Sequence, residues 1–276
     1  MTASIWAAAM VAIAAAMAAS WRGFLTVPAA LVAALAGAIV LISGGWAWGA
    51  TIAGSFIVTS LASRRRDRIE RNEAGSLHSR RNIGQVLANG SLPALLALLH
   101  GSGEAALVVA AFLGSVGAVT GDTWASAMAR FAAAKPRLIT TGKPVPAGTP
   151  GAVTLVGVLL AAAAAVLACT LYFSVSILLG DVIAPPADVA ALVFAALTGA
   201  LSGSLFDSYL GAARQALYRD PAGSLTDHPY SGMNVPNTYC RGWRWLNNDL
   251  VNFASSVAGA VAAAGVWMAA EFLQLV

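Results

Sequence analysis

Runs of roughly 20 apolar residues recur along this chain, at about 2–20, 24–43, 46–63, 82–100, 104–131, 150–179, 187–217 and 248–274. Each is long enough as a helix to cross about 30 Å of hydrocarbon. In lipid, backbone hydrogen bonds must be closed within the structure, and helical spans do this. The pattern predicts an all-α, polytopic transmembrane helical bundle of about eight spans. It forms one transmembrane domain over residues 1–276, with polar loops at about 64–81, 132–149 and 218–247. The run 2–20 ends in small residues, as a secretory leader does. It has no basic start and is followed by Arg22, so it is read as a span.

Composition points the same way. Apolar residues make up 58% of the chain and charged residues 10%, far from the roughly one quarter charged of soluble domains. All sixteen Lys and Arg fall in the loops after spans one, three, five and seven: Arg22, then Arg64 to Arg81, then Arg130 to Lys143, then Arg214 to Arg244. The positive-inside rule makes those loops cytoplasmic and puts both termini outside. The inner surface therefore suits anions, either lipid headgroups or phosphorylated substrates, and no nucleic-acid partner is expected. Cys169, in mid-span, and Cys240, in a loop, match no metal-ligand spacing and are read as inert.

Ionisable groups inside spans cost roughly 2.5–3.5 kcal/mol each and ask for a reason. Asp122, in Gly121-Asp122-Thr123-Trp124-Ala125-Ser126, and Asp207, in Phe206-Asp207-Ser208-Tyr209, lie at similar depths, about 12–15 Å from the cytoplasmic ends of their spans. Span four opens with Asn82, Gln85 and Asn89 on one helical face, and span eight with Asn248, Asp249 and Asn252, followed by Ser255 and Ser256. The outer halves of the spans are Ala, Val, Leu and Gly. A blind, inward-facing pocket is expected, lined by carboxylates, carboxamides and the hydroxyls of Thr123, Ser126 and Ser208. Glycines at 114, 117 and 121, and at 199, 203 and 211, read as helix-packing seams.

Among the loops, 132–151 carries Lys135, Arg137, Thr140, Thr141 and Lys143 between glycines and prolines. This composition can wrap phosphate oxygens or form an ordinary basic turn. The run Arg64-Arg65-Arg66-Asp67-Arg68 reads as a lipid-touching anchor. Arg80 and Arg81 abut the carboxamide face and could grip a phosphate. The aromatics of 218–247 could stack a nucleotide base or form an interfacial belt, with the belt preferred, and His78 and His100 receive no role.

These motifs, in order, resemble the phytyl-phosphate kinase family of integral membrane proteins. The resemblance rests on Gly121-Asp122-Thr123-Trp124-Ala125-Ser126; on Pro136 to Thr141 with Lys143, Pro146 and Thr149; on Asp207-Ser208-Tyr209-Leu210-Gly211-Ala212; and on Asn248, Asp249, Val251, Asn252, Ser255 and Ser256. It implies a prenyl-phosphate kinase of tocopherol or phytol salvage type. Such an enzyme passes a phosphoryl group from a nucleoside triphosphate, for example CTP, to an isoprenyl monophosphate. The expected cofactor is Mg²⁺, held by Asp122, Asp207 and Asp249 with Asn248 and Asn252 assisting. Arg81, Lys135, Arg137 and Lys143 would clamp phosphates, and Asn82, Gln85 and Asn89 would contact them. Ala127 stands where the family has Glu, so a magnesium ligand or orienting group is expected to be missing. The competing expectations are a transporter or flippase of a phosphorylated lipid, and a membrane scaffold.

Overall fold

The computed structural model of the chain describes residues 2–74, 80–100, 105–128, 135–181, 185–223, 225–231 and 235–273, with backbone alone at 2–4, 66–74 and 105. His78, Glu104 and Arg130 lie outside the described residues, as do the side chains of Arg66, Asp67 and Arg68. Among the described residues eight helices follow in order: α1 (Thr2–Trp21), α2 (Val27–Ser43), α3 (Trp46–Ala74), α4 (Ile83–Leu99), α5 (Ala105–Met128), α6 (Leu155–Leu179), α7 (Pro186–Ala213) and α8 (Asn248–Phe272). Each expected span is a helix.

The limits move most in three places. α3 continues past 63 through the basic run. α6 starts at Leu155 rather than 150, because Thr154 caps it by accepting from the Gly157 N–H at 3.0 Å. α7 stops at Ala213 rather than 217, where the chain turns into an extended segment. The bundle is all-α, but the two long polar loops fold as short antiparallel ribbons. β1 (Arg137–Leu138) pairs with β2 (Ala152–Val153). β3 (Leu217–Arg219) lies between β4 (Leu225–Thr226) and β7 (Thr238–Arg241), and β5 (Tyr230–Ser231) pairs with β6 (Val235–Pro236).

The segments 106–128, 155–179, 186–213 and 248–272 are long and apolar enough to cross a membrane, while 5–21, 27–43 and 83–99 are shorter apolar helices near the lower limit of a span. Trp6, Met10, Leu31, Leu35, Leu159, Leu178, Phe194 and Val261 all point outward. So much apolar surface on so many helices fits a hydrocarbon surround, not water.

α5 is the hub, packed on α3, α4, α6, α7 and α8, whereas α1 leans on α2 at the periphery. α3 and α4 both rest on α5 but scarcely touch each other. Glycines let α5, α7 and α8 approach closely. A Cβ on Gly199 would stand 2.6 Å from the Gly259 carbonyl oxygen and 2.7 Å from Gly114 Cα. Two hydroxyl contacts reinforce this seam: Ser115 Oγ and Ser256 Oγ lie 2.7 Å apart, and Ser255 Oγ donates to the Gly203 carbonyl at 2.9 Å.

The large core cluster includes Trp48 at the start of α3, Phe112 and Leu113 early in α5, Leu192 early in α7 and Trp267 late in α8. Trp48 stacks on Phe112 with ring centroids 4.0 Å apart. All these positions lie at the end of the bundle opposite the cavity described next.

Candidate functional site

Four helices and one linker line a cavity of about 260 Å³ at the loop-rich end. Its wall comes from the linker before α2 (Gly23, Phe24), the middle of α3 (Ser60, Ser63, Arg64), the start of α4 (Arg81, Gln85, Asn89), the end of α5 (Asp122, Thr123, Ser126) and the start of α8 (Asn248, Asn252). On each helix the lining residues include a pair three or four apart, so each helix offers a polar face to the cavity.

The linker and the entry to α4 hold each other by backbone. Arg81 N–H donates to the Phe24 carbonyl at 3.0 Å, and Thr26 N–H donates to the Arg81 carbonyl at 3.0 Å. Gly23, at φ 73°, makes the turn that delivers this strip, a conformation that costs glycine little. Arg81 is thereby fixed at its main chain. Its guanidinium donates to Thr59 Oγ1 at 3.1 Å and lies 5.1 Å from the Phe56 ring centre. Burial lowers its pKa to about 10, so it stays cationic at neutral pH.

Arg64 was read as a lipid anchor, and the structure turns it inward instead. Its guanidinium lies 3.6 Å over the Phe24 ring and one amine donates to the Arg22 carbonyl, while Nε is buried without a partner. Ser60 Oγ and Asn89 Oδ1 are likewise buried and unpartnered. Pro93, one turn beyond Asn89, lacks the N–H that would bond the Asn89 carbonyl. Three orphaned polar groups on residues that line the cavity mark a place built for something polar. Ser60 and Ser63 escaped the sequence reading, and nothing in the arginine run set Arg64 apart from its neighbours.

The expected residues divide by place. Gln85, Asn89, Asp122, Thr123, Ser126, Asn248, Asn252 and Arg81 come together on the cavity. Asn82 is the N-cap of α4: its side chain accepts from Gln85 N–H at 3.0 Å, and Gln85 Oε1 accepts from Asn82 N–H at 3.1 Å, a reciprocal capping box. Asp207 stands behind the wall on α7. Its carboxyl is within side-chain hydrogen-bond reach of Asp122, and its Oδ2 is unpartnered. Ser208 is half-buried on the same helix, off the cavity.

Asp249 departs from the expectation of three joined carboxylates. It turns to the first turn of α4, where a Cβ on Gly84 would collide with its oxygen. There it lies near the N-termini of both α4 and α8, which favours negative charge. Among the described residues no three acidic, His or Cys side chains gather closely enough to hold an ion. Mg²⁺ commonly takes one or two protein carboxylates and completes its shell with water and phosphate oxygens, so Asp122 beside Asn248 and Asn252 fits a substrate-bridged ion but not an all-protein cage.

The loop cations are not on the cavity. Lys135, before β1, Arg137, in β1, and Thr140, Thr141 and Lys143, on the loop after it, are exposed, and Arg137 folds back to donate to the Gly142 carbonyl at 2.8 Å. Ala127 is buried and off the wall. It follows Asp122 by five residues, about 140° around the helix, so a glutamate there would point away from Asp122.

A many-helix integral membrane protein with a polar cavity at one end of its bundle is the class this fold and site define. The chain belongs to the integral membrane protein family DUF92, whose profile matches residues 10–260. An uncharacterised membrane protein of Methanocaldococcus jannaschii is 34% identical over 132 residues, 48% of this chain and 50% of that protein. Protein PGR of Arabidopsis thaliana is 32% identical over 206 residues, 66% of this chain and 70% of that protein. The chain thus matches half the length of the archaeal relative. No solved structure matches it.

Proposed function

We propose that the protein is a membrane-embedded kinase. It would transfer a phosphoryl group from a nucleoside triphosphate, CTP in the first instance, to an isoprenyl monophosphate such as phytyl phosphate, giving the diphosphate for tocopherol- or quinone-type synthesis. One observation carries this reading: a single cavity within a lipid-facing bundle holds both a carboxylate, Asp122, and two guanidiniums, Arg64 and Arg81. That pairing suits a phosphoanhydride reaction. A terminal oxygen of the acceptor phosphate attacks the γ-phosphorus, the bond to the nucleoside diphosphate breaks, and a P–O–P bond forms. The attacking oxygen is already largely ionised, so positioning and charge neutralisation matter more than a general base.

In this reading Arg64 and Arg81 bind and orient phosphate oxygens, and the carboxamides of Gln85, Asn89, Asn248 and Asn252 donate to them. Asp207 positions Asp122 from behind. Mg²⁺, held by Asp122 with the carboxamide oxygens of Asn248 and Asn252, would supply charge neutralisation on the transferring phosphoryl group. The isoprenoid tail would lie along apolar surface such as that of Ile57 and Leu61, which are exposed on α3 beside Ser60. The active end would face the cytoplasm, following the clustering of Lys and Arg.

The test is transfer of label from γ-labelled CTP to phytyl phosphate by the full chain in detergent. Asp122→Asn is expected to slow transfer on the order of 100-fold. Undiminished turnover in that variant would remove the site. Counterflow of phytyl phosphate into proteoliposomes without any nucleotide would favour a lipid-phosphate transporter instead.

A further inference from the structure

We infer that Ser60, Ser63, Arg64 and Arg81 form a seat for a phosphate monoester, on the part of the cavity wall built by α3 and the entry to α4. The assignment deepens the kinase reading by naming the wall that takes the acceptor's phosphate. It rests on that reading for the identity of the lipid, while the seat itself stands on its own residues.

Charge is the first argument. Among the described residues neither Arg64 nor Arg81 has a carboxylate partner; their neighbours are the Phe24 and Phe56 rings, the Arg22 carbonyl and Thr59 Oγ1. Two partly buried guanidiniums that no carboxylate among the described residues pairs with are costly to hold unless an anion joins them. A phosphate monoester carries about −1.5 to −2 at neutral pH and matches both, whereas a diester carries a single charge. Planar guanidinium forks also suit phosphate oxygens.

Unmet hydrogen bonding is the second. Arg64 Nε and Ser60 Oγ are buried without partners on this wall, and Ser60 is 3% exposed. Both can donate to an oxyanion. Their positions are fixed by other contacts: the cation–π stack on Phe24 holds Arg64, and the paired strip through Phe24, Thr26 and Arg81 holds the linker over the seat. The wall is therefore preorganised for a ligand, with donors already stripped of water.

Access is the third. The residues flanking Ser60 on α3, Ile57 and Leu61, are exposed on the apolar outer surface of the bundle. The ester oxygen of a membrane lipid could thus leave toward hydrocarbon while its phosphate stays in the seat. The same chemistry would also accept free phosphate or a nucleotide's terminal phosphate, so the experiment separates these sources.

Affinities of the full chain in dodecylmaltoside, without nucleotide or divalent ion, are measured by titration calorimetry for farnesyl monophosphate, inorganic phosphate, dimethyl phosphate and CTP. Farnesyl monophosphate is expected to bind most tightly, to be displaced by inorganic phosphate and to be unaffected by dimethyl phosphate. Arg64→Gln and Arg81→Gln are each expected to weaken it about tenfold or more, and Ser60→Ala severalfold. Arg219→Gln, an exposed arginine of β3, controls for bulk charge and should change nothing. If an arginine variant fails to fold, Arg64→Lys and Ser60→Ala carry the test, with retained thermal unfolding as the check.

Unchanged affinity in these variants, or an equal loss in Arg219→Gln, overturns the seat. Tighter binding of CTP with the same arginine dependence overturns its assignment to the acceptor. Arginine-dependent binding without phosphoryl transfer leaves the seat standing and fells the kinase reading. Transfer with arginine-independent binding does the reverse.

Discussion

Two buried serines have opposite circumstances. Ser256 shares a 2.7 Å contact with Ser115 across the α5–α8 seam, whereas Ser60 meets no partner. Removing one member of a satisfied buried pair leaves the other orphaned, at about 1–3 kcal/mol, but removing an orphan deletes a desolvation cost already incurred. Ser256→Ala is therefore expected to lower the thermal unfolding midpoint in detergent, and Ser60→Ala to leave it unchanged or raise it. A clear drop in Ser60→Ala would mean that its hydroxyl holds the fold together. The sequence could single out Asp122, Gln85, Asn89 and Asn252, because a polar residue inside an apolar span violates the pattern. It could not single out Arg64, which opens a run of arginines and looks like any helix-end anchor. Nor could it separate Asn82, which caps α4, from Gln85, which does face the cavity: three residues apart on paper, they differ by whether the helix has begun.

At the scale of elements, span positions were legible because one physical demand, closing backbone hydrogen bonds across hydrocarbon, sets both length and apolarity. Ribbons of two to four residues such as β1 and β7 carry too short an alternation to be read. The glycine seams were legible as spacing, but only contacts tell which glycine matters. A Cβ on Gly203 would collide with Ala118 Cβ and stand 2.7 Å from the Ser255 carbonyl oxygen, while one on Gly90 would meet nothing within 4 Å. Gly203→Ala is thus expected to force α7 away from α5 and α8 and to destabilise by about 1–3 kcal/mol. Gly90→Ala should be neutral or stabilising by up to about 1 kcal/mol, since alanine is the better helix former. Equal unfolding midpoints for the two variants would show that the seam can relax and that close approach is not what those glycines provide.

The whole molecule is polarised. Trp48, Phe112 and Trp267 fill one end of the bundle, and the cavity, the ribbons and the described arginines occupy the other. The threefold carboxylate cluster expected from the motifs was not legible, because motif order gives no direction to a side chain: Asp122 reaches the cavity, Asp207 stands behind it and Asp249 turns to the first turn of α4. By the positive-inside rule the charge pattern predicts an orientation in the bilayer, with the cavity end toward the cytoplasm. The chain carries its own reporters for this. Cys240 is an exposed free thiol on β7 at the cavity end, and Cys169 is buried within α6. A membrane-impermeant maleimide should therefore label the protein in inside-out vesicles and leave it unlabelled in right-side-out ones. Cys240→Ser should abolish the signal, and Cys169→Ala should not change it. Labelling of Cys240 from the outer face of right-side-out vesicles would invert the orientation and place the cavity on the side where nucleoside triphosphates are scarce, leaving the proposed phosphoryl donor out of reach.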